Sequence, residues 1–207
     1  MTDDEIEALF TRQSGEYAFA RWGRPLATVV FGVDDKTLGV IKGAIEAVSQ
    51  LAGTSVTETD PELGTNFIWF FFTDWSELLD VPNMDRLVPD LDPLVTRLIA
   101  ADANQYRIFR FDEAGAIKAC FVFLRMDEHL SKVSAETLAL SQVVQSVLLW
   151  SDTAFRDRSA LAVAGETTVL RPDVAALIRA AYDPVMPAVA RDASHALRLC
   201  ARIPPVT

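Results

Sequence analysis

The sequence predicts an α+β fold. Stretches of helical period and β-branched or aromatic runs share one chain without strict alternation, which argues against a doubly wound sheet and against separate all-α and all-β halves. Half of the 207 residues are apolar, 23% are charged, and Gly and Pro number 9 and 10, enough to bury an ordinary core. The run Phe67-Ile68-Trp69-Phe70-Phe71-Phe72 has no polar alternation, as expected of a central strand covered on both faces.

Thr2 with Glu5 forms the pattern of a capping box and opens a short helix to about Thr11. A strand follows over Arg24–Phe31, closed by Gly32. Asp34 or Asp35 caps a helix to Leu51, with Leu38, Ile41, Ile45 and Val48 on one face and Gly53 as its stop. A weak strand, 55–59, and a turn, 60–64, precede the strand Asn66–Phe72. Residues 73–103 read as a helical insert, with Asp74 and Glu77 at one cap and Asp92-Pro93 at another. Strands over Tyr106–Phe111 and Ile117–Leu124 are joined by Asp112-Glu113-Ala114-Gly115. Ser134 caps a long helix to Trp150. Residues 152–168 read as irregular, and helices over 172–182 and 188–202 close the chain. No repeat or linker divides it, so one domain over 1–207 is expected, with an N-terminal helix (1–14), the insert (73–103) and a helical C-terminal part (170–203).

The formal net charge of −10 disfavours nucleic acid as the main partner, because phosphate is repelled. No run approaches the roughly 20 apolar residues of a membrane span. The start is acidic (Asp3, Asp4, Glu5, Glu7), unlike a secretory leader. A soluble, cytoplasmic protein is expected as the sequence stands, or a periplasmic one should a leader precede it. Cys120 and Cys200 share no metal-type spacing and read as buried small hydrophobes. His129 and His195 cannot form a one-turn pair and read as surface or capping residues. Asp127 and Glu128 beside His129 read as a solvated charge run. No P-loop, G-x-G-x-x-G or G-x-S-x-G is present.

The element order resembles the zincin metalloprotease layout: a mixed sheet with a helix packed on it, then a long helix after the last strand. In zincins that helix carries H-E-x-x-H, two zinc ligands one turn apart and a general base. Here the corresponding stretch is Ser141-Gln142-Val143-Val144-Gln145. A hydroxyl and an amide are poor zinc ligands, and Gln cannot act as a base.

Four landmarks also resemble a family of bacterial zincin-like proteins of unknown function, often lipoproteins. Arg21-Trp22-Gly23-Arg24-Pro25-Leu26 resembles its R-W-x-x-P-hydrophobic opening, and Asn66-Phe67 its A-N-F. Gln145 through Asp152 resembles its Q-x-L-G-L-x-N-D, and Leu170 through Pro184 its L-x-x-x-D-x-x-L-I-R-x-L-Y-D-P. That family carries E-E-x-x-Q on the active helix; of its Glu-Glu pair and Gln, only Gln145 is present here. The resemblance implies the fold and transfers no catalytic residue.

The reading that follows is a pseudoenzyme: a non-catalytic zincin-like binding or interaction module with no metal, cofactor or catalytic residue expected. Its vestigial cleft would draw on Ser141, Gln142, Gln145, Asp152 and Tyr182, and its partner would be a protein or basic peptide. One alternative is a peptidase-like hydrolase using Tyr182, Asp152, Asp173 or His129. Another is a structural subunit, homo-oligomeric, with an exposed apolar patch, for example around Trp69, Trp75 or Trp150.

Overall fold

The structure, a computed structural model, describes residues 1–165 and 167–204. In chain order the elements are α1 (Asp3–Phe10), β1 (Phe19–Ala20), β2 (Leu26–Phe31), α2 (Asp35–Ala52), β3 (Val56–Thr57), β4 (Phe67–Phe72), α3 (Glu77–Asp80), α4 (Met84–Leu87), α5 (Leu91–Ala100), β5 (Gln105–Phe111), β6 (Ile117–Arg125), α6 (Ala135–Val147), β7 (Leu161–Ala164), β8 (Thr167–Leu170), α7 (Pro172–Ala181), β9 (Val189–Ala190) and α8 (Ser194–Cys200). The class is α+β.

Helix starts follow local side-chain chemistry. Glu5 N–H donates to Thr2 Oγ1 at 3.2 Å while Thr2 N–H donates to Glu5 Oε2 at 2.7 Å, a reciprocal capping box. Asp34 accepts from Thr37 N–H and Ser134 from Thr137 N–H, satisfying donors that open α2 and α6. Gly53 ends α2 in the left-handed region.

Five strands form the main sheet in the order β3-β2-β4-β6-β5; β5 is antiparallel to β6, and the other neighbours are parallel. Trp69 of β4 lies opposite Val30 of β2 and Val122 of β6, so β4 is flanked on both sides. Where β2 ends, Gly32 holds φ +85° and an added Cβ would collide with the Phe71 carbonyl.

The pleat divides β4 between two cores. Phe67 and Trp69 face a large core built with α2, α6 and α7, whereas Phe70 and Phe72 face a smaller one roofed by the insert through Trp75, Leu78, Met84, Val88, Leu91, Leu94, Val95 and Leu98. Helices α2 and α6 pack side by side on the first face.

Several expectations need correction. The segment read as irregular contains the hairpin β7–β8, whose backbone pairs cross-strand from Leu161↔Leu170 to Ala164↔Thr167; Glu166, between those strands, lies outside the described residues. The last helix is shorter than expected, because β9 first pairs with β1. The long helix stops at Val147, since Leu148 turns extended and bridges to Arg21. Asp90, in the left-handed region, precedes α5, and Asp92 lies inside its first turn. Trp69 and Trp75 are buried and Trp150 is half-buried, so none of the three indoles stands exposed as an apolar patch. Cys120 is buried and Cys200 half-buried, both as free thiols.

Candidate functional site

Side chains of helix α6 bond to β5, the antiparallel edge strand of the main sheet, and the structure places the five cleft candidates in three different settings. Ser141 and Gln145, one turn apart and half-buried, share a helix face: Gln145 Nε2 donates to Ser141 Oγ at 3.0 Å. Gln142, rotated about 100° around the helix, is buried. Its Nε2 donates to Gln105 Oε1 at 2.8 Å, and its Oε1 accepts from Arg107 Nη2 at 2.5 Å. The expected polar face is therefore split, with Gln142 committed to β5.

Tyr182 and Asp152 belong to the scaffold. The Tyr182 hydroxyl donates to the Val147 carbonyl at 2.7 Å and accepts from Trp22 N–H at 3.4 Å, and burial raises its pKa. Two indoles act beside it: Trp22 Nε1 donates to Ser146 O and Trp150 Nε1 to Val144 O, each at 2.8 Å. Together these donors satisfy three of the four carbonyls left open where α6 ends. Asp152 is exposed and accepts from Gln13 N–H at 2.9 Å.

Sequence reasoning missed Arg107. It projects from β5, half-buried, and donates through Nε to Ser146 Oγ at 2.9 Å as well as to Gln142. Burial pulls its guanidinium below the usual arginine range, yet it stays charged at neutral pH. Among the described residues it has no ion-pair partner, whereas Arg24 pairs with Asp60 and Glu62, Arg125 with Asp102 and Asp127, Arg171 with Asp173, and Arg202 with Asp183. A polar residue alternating with the apolar residues of an edge strand was the sequence signal, and it reads equally well as a solvated position.

Cys120 lies beneath this cluster, fully buried, and desolvation pushes its thiol up to about 12. It is unreactive as a nucleophile at neutral pH. His195 is buried rather than on the surface: its Nδ1 sits 2.8 Å from the Tyr17 hydroxyl. His129 is exposed. Asp173 is held by Arg171. The structure forms no hydrogen bond between any two of Tyr182, Asp152, Asp173 and His129.

Zinc does not fit the residues of α6. Its candidate donors are a hydroxyl and two amides, of which one amide is locked to a guanidinium that repels a cation. Among the described residues no three His, Cys, Asp or Glu side chains converge as a ligand set, and no helix is long and apolar enough to cross a membrane. No family model, curated protein or solved structure matches the chain.

Proposed function

We propose that this chain is a non-catalytic, zincin-like binding module whose groove lies between β5 and α6. The observation that carries this reading is the clamp of Gln142 by Arg107 at the position a metalloprotease gives to its general base. That position holds an amide that cannot accept a proton, in a hydrogen bond that fixes its orientation. The mixed sheet with an antiparallel edge strand next to the helix supports the layout, and an open strand edge is a surface on which an extended peptide can add main-chain hydrogen bonds.

Equilibrium dialysis of the full chain against zinc, with metal measured by mass spectrometry, tests the absence of a metal centre. The expected result is no stoichiometric binding at micromolar zinc. Tight one-to-one binding, lost in Gln145→Ala, would overturn this reading.

A further inference from the structure

Between β5 and α6 lies a cation for which the fold supplies no acid. Of the six other arginines that are buried or half-buried, four have carboxylates within ion-pairing distance, and the remaining two, Arg21 and Arg110, donate to the Met186 and Leu87 carbonyls. Arg107 instead rests on two neutral oxygens, Gln142 Oε1 and Ser146 Oγ. A guanidinium has five N–H donors in a planar fork, so three remain after these bonds. Removing a charge from water without a counter-charge costs stability, and such arrangements concentrate at binding sites.

The surroundings keep the position free of acids. From Thr137 to Val147, α6 has no charged residue, and β5 contributes only Arg107 and Arg110. Arg110 donates to the Leu87 carbonyl. Exposed Gln105 and half-buried Ser141 and Gln145 line the approach with amide and hydroxyl groups. No strand covers the outer side of β5.

We propose that Arg107 is a carboxylate-binding residue, receiving the carboxylate of a peptide laid along the β5 edge while Gln142 and Ser146 fix its guanidinium from behind. This rests on the binding-module reading and names the chemistry of its ligand. A planar fork matches a carboxylate through two parallel hydrogen bonds. A single guanidinium among neutral groups balances one negative charge, which suits a carboxylate better than a phosphate dianion on a chain of net charge −10.

Three probes separate the source of the carboxylate: N-acetyl-trialanine with a free C-terminus, its C-terminal amide, and an acetylated, amidated Ala-Glu-Ala. Each is titrated into the full chain while the Arg107 Nε–H resonance is followed by NMR. Free trialanine, Ala-Glu-Ala or both should shift that resonance and bind about tenfold or more tightly than the neutral amide, the effect of one charge-assisted hydrogen bond. Whichever peptide binds identifies a terminal or a side-chain carboxylate.

Gln142→Glu places a carboxylate on Arg107 within the chain and should abolish the response while the protein stays folded. Arg107→Lys keeps the charge but loses the fork; followed through the Gln142 side-chain amide resonance, since no guanidinium remains, it should weaken binding about tenfold. Equal binding of the charged and neutral peptides overturns the proposal, as does no response at millimolar concentrations or undiminished binding in both variants. None of these failures touches the zinc result, so the binding-module reading stands or falls separately.

Discussion

Asn66 ties the starts of two strands together. Its Oδ1 accepts from Ala27 N–H at 2.8 Å, and its Nδ2 donates to Pro25 O at 2.9 Å and to Asp60 Oδ2 at 3.1 Å. Burial alone would raise the Asp60 carboxyl, but the Leu63 and Glu62 amides, Asn66 and Arg24 together hold it below the usual range. Asn66→Ala leaves this buried set unpaired and should cost about 3 kcal/mol in urea unfolding. His195 sets a separate dependence on acid. Desolvation, with Arg198 nearby, lowers its pKa from 6.5 to about 4. Between those values the unfolded chain binds the extra proton, so stability falls as pH drops from 6.5 towards 4. Asp60 adds its loss only below the unfolded carboxylate value, about 3.9. Urea midpoints across this range should fall in the wild type and flatten above pH 4 in His195→Gln. At this scale the sequence showed which residues were polar on α6 but not their partners. Whether Gln142 faces water or Arg107 depends on a strand more than thirty residues away, which helical periodicity does not encode.

Among the elements, those bounded by local chemistry were legible: α1, α2 and α6 begin at the caps their residues announce, and β4 is central as its uninterrupted apolar run requires. The ends set by distant partners were not. Helix α6 stops at Val147 because Trp22, Trp150 and Tyr182 take its last carbonyls. Trp22→Phe keeps the ring but removes one donor, and should lower stability by about 1 kcal/mol in thermal or urea unfolding. The hairpin β7–β8 escaped notice because its exposed Ala164 and Thr167 lack the alternation of a half-buried strand. Native-state hydrogen exchange should rank the strands accordingly: β4 amides, bonded to β2 and β6, exchange slowest, and β7–β8 amides fastest.

For the molecule as a whole, two cores share one sheet, and the insert belongs to only one of them. Deleting residues 76–101 should uncover Phe70, Phe72, Phe121 and Phe123 and yield a chain that aggregates in size-exclusion chromatography, because so large an apolar face seeks another partner. The four landmark segments also acquire a joint structural role. The Asn66 amide holds the Pro25–Ala27 backbone, while Trp22 and Tyr182 meet at the end of α6 just before Ser151 and Asp152. Trp22, Asn66 and Tyr182 thus serve the fold, whereas Ser141, Gln142 and Arg107, on which the proposed binding rests, lie outside those segments. The central position of β4 has a further consequence for a chain made from its N-terminus. One neighbour, β2, has already been synthesised when Phe67–Phe72 leaves the ribosome, but the other, β6, ends at Arg125. Until some fifty further residues have emerged, six consecutive apolar side chains stand at an open strand edge, the pattern most prone to pairing with another nascent chain. The protein's yield in cells will therefore depend on translation speed and chaperone supply over that interval, more than the stability of the finished fold would suggest.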